Sequence, residues 1–179
     1  MTVARELAEF LTRTSSSDLP RQAVDHAAML IASTIASAAM GAGLESSEII
    51  RTLARERGGS PEASVWFASG PKLPVSDAAQ VNAVMSDAAA SDDSDLRNIV
   101  HAGTTLVASA LAMAERTGAR GEDVLAAIVL GYEAAGRIGE AITPGFRTMV
   151  FMAVSSRSLV ARSLPRGYCS WTRATWPRL

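Results

Sequence analysis

Apolar residues recur at helical spacing along much of the 179-residue chain, separated by polar start and stop signals. Val3, Leu7, Phe10 and Leu11 share one face of a first helix over about 2–12, with Thr2 as its cap. Asp18-Leu19-Pro20 starts a second, capped by Asp18, which passes through Val24, Ala28, Ile31 and Ile35 and stops at Gly41 and Gly43. Ser46-Ser47-Glu48 opens a third, predicted to bury Ile49, Ile50 and Leu53 and to solvate Arg51, Arg55, Glu56 and Arg57. Residues 63–68, with Val65, Trp66 and Phe67, form a short strand-like piece before the Gly70-Pro71 turn. Ser76-Asp77 caps a fourth helix carrying Val81, Val84 and Met85. A fifth over 104–115 carries Leu106, Val107, Leu111 and Met113, and a sixth over about 121–142 carries Val124, Leu125, Ile128, Val129 and Tyr132. The pattern predicts an all-α bundle.

Composition narrows the class. Hydrophobic residues make up 48% and charged residues 20%, a globular balance. Aromatics are only 5%, and the abundance of Ala and Ser suits closely packed helices better than a sandwich or barrel. A net charge of −1 gives no global reason to expect nucleic acid or an anionic membrane as partner. The uncharged stretch 27–44 has the length of a membrane span. It is mostly Ala, Ser, Thr and Gly, whose transfer energy is poor, so a buried core helix is expected and no membrane partner. With no signal-peptide pattern at the N-terminus, the cytoplasm is the expected compartment. The single cysteine, Cys169, excludes an internal disulfide and a cysteine-built metal site.

Charge is unevenly placed. All 18 acidic residues lie at or before Glu140, so residues 1–146 sum to −7. Residues 147–179 hold Arg147, Arg157, Arg162, Arg166, Arg173 and Arg178 without one acid, together with Trp171 and Trp176. The expected organisation is a helical domain over 1–146 followed by an irregular Arg-, Ser- and Trp-rich tail over 147–179.

Candidate chemistry is concentrated between the fourth and fifth helices, in Asp92-Asp93-Ser94-Asp95-Leu96-Arg97-Asn98-Ile99-Val100-His101-Ala102-Gly103. A loop between rigid elements is where reactive groups are commonly held. His101 offers a proton donor or acceptor near neutral pH. A hydroxyl and Arg97 could hold a carboxylate, and Gly103 opening a helix leaves backbone N–H groups that favour anions. The plainer alternative is that Asp92, Asp93 and Asp95 cap and solvate a helix junction. One histidine beside carboxylates makes no specific metal-ligand set, so no metal is expected, and His26 reads as a packed or surface side chain. Cys169 lacks a base nearby in sequence and is not read as a nucleophile.

In order along the chain, these segments resemble the N-terminal part of the MmgE/PrpD family, which includes 2-methylcitrate dehydratases, cis-aconitate decarboxylases and related isomerases. Weaker points of resemblance are Leu7-Ala8-Glu9-Phe10 and Asp18-Leu19-Pro20. More specific are Asn82, the Asp92-Asp93-Ser94 to His101-Ala102-Gly103 segment, and Leu111-Ala112-Met113-Ala114-Glu115. Most specific is the run from Gly121 to Val129, continuing Gly131-Tyr132-Glu133 and Arg137-Ile138-Gly139. The resemblance spans 3–146. It implies a helical domain that normally carries a second α/β lid domain, a homodimer, and cofactor-free lyase chemistry on a small tricarboxylate such as 2-methylcitrate, in propionate metabolism. It also implies that His101 is the active-site histidine, Ser94 a catalytic hydroxyl, and Asp92 and Asp93 the paired acids that orient the histidine or the substrate.

The sequence departs from the family pattern in three places. Ala102 replaces the proline of the family's His-Pro-Gly turn. Ala90 stands where a functional aspartate is expected, and Arg147 follows Gly145-Phe146 where a second histidine motif should continue. Shifting the reading frame by two bases turns Met149-Val150 and Met152-Ala153 into glycine-containing codons and permits a His-Gly-Phe-His-Gly run. The tail is therefore expected to be out of frame, and a chain of this length to be inactive alone. The alternatives are a divergent basic tail that binds an acidic partner, and a non-catalytic module kept for dimerisation or binding. Sequencing the coding DNA across codons 140–180 and reading all three frames downstream separates the tail readings.

Overall fold

The computed structural model describes residues 2–95 and 100–146. The expectations placed on Arg97, Arg147, Cys169 and the rest of the tail lie outside the described residues. Six α-helices run in order: α1 Val3–Arg13, α2 Arg21–Gly41, α3 Glu45–Arg57, α4 Val75–Ala88, α5 Ala102–Thr117 and α6 Gly121–Phe146. The all-α reading holds. Several boundaries move for local reasons. Thr2 precedes α1 but makes no side-chain cap bond. Asp18 does not cap α2. It closes a 3-10 turn, Ser16–Asp18, by accepting the Ser15 N–H at 2.9 Å and hydroxyl at 2.6 Å, which hold its carboxyl below the usual range. α2 then begins behind Pro20, whose fixed φ suits a helix entry.

The strand-like piece over 63–68 is corrected to a single antiparallel bridge, Ala63 to Leu73. A lone segment has no second strand to bury its backbone groups against, so its polar atoms go to side chains. Asn82, 1% exposed on α4, accepts the Trp66 N–H at 2.9 Å and donates to the Ser64 carbonyl at 2.9 Å. Glu115 on α5 accepts the Ser64 hydroxyl at 2.7 Å and pairs with Lys72 at 2.9 Å. The loop is thereby tied to α4 and α5, and its Trp66 packs against both hydrophobic clusters of the fold.

One cluster joins α2, α3, α4 and the loop through Ala38, Ala54, Leu73, Val81 and Met85. The other joins α2, α5 and α6 through Ala27, Val107, Val124 and Ile128. In α3 the expected core face is displaced: Ile50 is half-buried and Ala54 buried, but Ile49 and Leu53 stand out to solvent. Ser47, expected at the start of that helix, is buried and donates its hydroxyl to the Gly41 carbonyl at 2.8 Å.

The uncharged stretch 27–44 forms most of α2, among the described residues the one helix long and apolar enough to cross a membrane. It packs on α4, α5 and α6 through Ala27, Thr34, Ser37, Ala38 and Gly41. Met29 and Met40 are 62% and 67% exposed, so this helix is buried along one stripe only. Small residues let that stripe come very close to α4. A Cβ on Gly41 would overlap the Met85 carbonyl oxygen.

Candidate active site

Asp92 and Asp93, in the segment that follows α4, are turned toward the helices. After α4, Ala90 takes a left-handed backbone, φ 50°, which sterically disfavours side chains other than Asn and Asp. Ser91 then shares a 2.5 Å hydrogen bond with Ser37, a buried hydroxyl of α2. That anchor delivers Asp92 and Asp93 to the start of α5, where Asp95 and Val100 form a second isolated bridge.

The two acids diverge. Asp92, with its side chain only 3% exposed, lies 2.8 Å from His101 Nδ1, while the His101 ring is 43% exposed. A carboxylate oxygen accepts, so the proton of this bond is carried by Nδ1. Asp93 points the other way. Its Oδ2 accepts the Tyr132 hydroxyl of α6 at 2.7 Å, and its Oδ1 is buried without a hydrogen bond among the described residues. That oxygen lies against Gly103, where a Cβ would overlap it and stand 2.6 Å from the Tyr132 oxygen. Burial, and then the hydrogen bond and charges of Asp93 and Asp92, push the Tyr132 phenol up, so it remains a proton donor.

Beyond Tyr132 a groove of about 570 Å³ runs between α2 and α6. Ala23, Ala27 and Leu30 form one wall, and Ile128, Tyr132, Glu133 and Arg137 form the other, with Asp95 at the rim. Arg137 pairs with Glu133 one turn away. The groove reaches Asp95 and Tyr132 but is not lined by His101. Among the described residues, no group of three His, Cys, Asp or Glu side chains could hold a metal ion.

A carboxylate–imidazole pair entering a helix beside a loop of acids is an arrangement for moving protons. The family model of the MmgE/PrpD N-terminal domain matches residues 5–164, most of the chain. The chain belongs to the MmgE/PrpD family. No curated protein and no solved structure matches it. The match continues past 146, where the sequence pattern places a domain boundary, into residues that lie outside those described.

Within this MmgE/PrpD domain, the structure brings Asp92 to His101 and leaves Ser94 exposed, outside both carboxylate bonds. Asp92 and Asp93 do not simply solvate a helix junction, since each is engaged by a side chain. Asp93 Oδ1 lies against Gly103 in the first turn of α5 without accepting a hydrogen bond there. His26 is exposed on α2. Tyr132 is the site residue that sequence reasoning missed. Periodicity places it on the apolar face of the sixth helix, yet a phenol on a buried face needs a hydrogen-bond partner, and that requirement is the available signal.

Proposed function

We propose that this MmgE/PrpD domain supplies the acid/base histidine of a lyase that eliminates water from a small hydroxy-tricarboxylate resembling 2-methylcitrate. The observation that carries the reading is the 2.8 Å bond from His101 to the nearly buried Asp92. Elimination next to a carboxylate requires a base for the α-proton and an acid for the departing hydroxide. His101 serves in one of these roles through Nε2, with Asp92 holding the ring by Nδ1. Ser94, exposed two residues further on, and Asp93 help to orient substrate and histidine. No cofactor enters the reaction, and a homodimer is the working form.

In this reading turnover needs a second domain to close over the substrate. The test fuses the chain to the second domain of a family dehydratase and follows the alkene formed from 2-methylcitrate. His101→Asn in the fusion should lower kcat by about 100-fold or more. A fusion that folds and turns over equally well with and without His101 overturns the assignment. A folded, oligomeric and inactive fusion favours instead a non-catalytic module that dimerises or binds a partner.

A further inference from the structure

Three elements meet at Asp93, and only one of them carries the candidate base. Asp92 and Asp93 are adjacent in the chain, so the backbone that aims one carboxylate at His101 also aims the other at Tyr132. His101 directly precedes α5, and Gly103 lies two residues further on. Whatever holds Asp93 against Gly103 therefore sets the distance between the acid loop and the helix start on which His101 stands. Gly103 provides the space, since any side chain there would overlap Asp93 Oδ1. Tyr132 provides the force: among the described residues its hydroxyl, 2.7 Å from Asp93 Oδ2, is the one hydrogen-bond donor to that carboxylate. The same ring lines the groove between α2 and α6.

We infer that Tyr132 is a positioning residue, which latches Asp93 onto α6 through its hydroxyl and so holds Asp92 in register with His101 Nδ1. The inference rests on the proposed role of the Asp92–His101 pair and extends it to the side chain that bonds the neighbouring acid. Without the hydroxyl, Oδ2 loses its donor while Oδ1 stays buried and unbonded, and Asp93 turns toward water. Asp92 moves with it, and the His101 ring loses the partner that fixes its tautomer.

The test is NMR of the intact chain with ¹⁵N-labelled histidine, which reads the tautomer of each ring and the exchange of its nitrogen-bound proton with water. His26, exposed on α2, serves as internal reference. Asp92→Ala identifies the His101 Nδ1 proton by abolishing its protection. Tyr132→Phe keeps the ring and its packing and removes only the hydroxyl. Exchange of the Nδ1 proton should accelerate by about threefold or more, with a gain of the other tautomer and no change at His26. A purely structural role would lower the melting temperature and leave that proton alone. An acceleration smaller than this in folded Tyr132→Phe overturns the latch and leaves the Asp92–His101 pair standing. If Asp92→Ala changes nothing at His101, the pair and the latch both fall. Gly103→Ala is a second probe: its methyl drives Asp93 from the same position, and the same acceleration is expected.

Discussion

Asn82 offers the most direct check on how the loop over 63–73 is held, because two backbone groups depend on one side chain. Asn82→Ala strands the Trp66 N–H and the Ser64 carbonyl, each now bonded at 2.9 Å. A fully buried unsatisfied backbone group costs about 1–3 kcal/mol. Trp66 and Ser64 are half-buried, so water recovers part of that loss, but Asn82 itself is buried and its truncation also leaves a void. The sum is about 2–4 kcal/mol, a large share of the roughly 5–15 kcal/mol available to a domain. With a urea m-value of about 2 kcal/mol/M, the midpoint should fall by about 1–2 M. Urea unfolding followed by far-ultraviolet circular dichroism measures it, with Gln80→Ala, exposed on the same helix, as a control expected within about 0.5 kcal/mol. A midpoint shift below about 0.3 M at unchanged m would refute the view that this side chain anchors the loop.

Other outcomes follow from the same contacts. Met85, fully buried in the α2–α3–α4 cluster, should cost about 2–5 kcal/mol when changed to Ala, read by the same urea midpoint. Gly41→Ala should cost about 1–3 kcal/mol, and Met85→Ala should not rescue it, because the clash is with the Met85 backbone carbonyl. Ala90→Gly should stabilise by about 0.5–1 kcal/mol, seen as a raised melting temperature, since glycine accepts the left-handed backbone found there. Partial burial raises the Glu115 carboxyl, but bonds from Lys72 and Ser64 outweigh it and hold it below the ordinary value of 4.5. A depressed carboxylate contributes stability above its unfolded value and loses it as pH falls through the folded one. The stability gap between wild type and Glu115→Gln should therefore be full at neutral pH and close in acid, as measured by melting temperature across pH.

Helix periodicity carried most of the architecture. Six apolar stripes with glycine and proline punctuation are local properties, and they placed all six helices to within a few residues at most ends. The Asp92–Gly103 segment was legible as chemistry for a similar reason: residue type and a position between helices are written in the chain. Partnership was not legible. Asp92 and Asp93 look equivalent in sequence, and only the meeting of α5 and α6 assigns one to His101 and the other to Tyr132. The same limit explains α3, where Ile49 and Leu53 fit an apolar face but Ala54 is what α2 and α4 leave room to bury. It explains the failed strand as well. Val65, Trp66 and Phe67 have strand propensity, yet a strand exists only if another chain segment offers a ladder, and here Asn82 and Glu115 took those backbone bonds instead. Propensity and pattern act within a few residues along the chain. Which carboxylate meets which ring is decided by packing between residues as far apart as 93 and 132, where a missing methyl on Gly103 matters as much as any charged group.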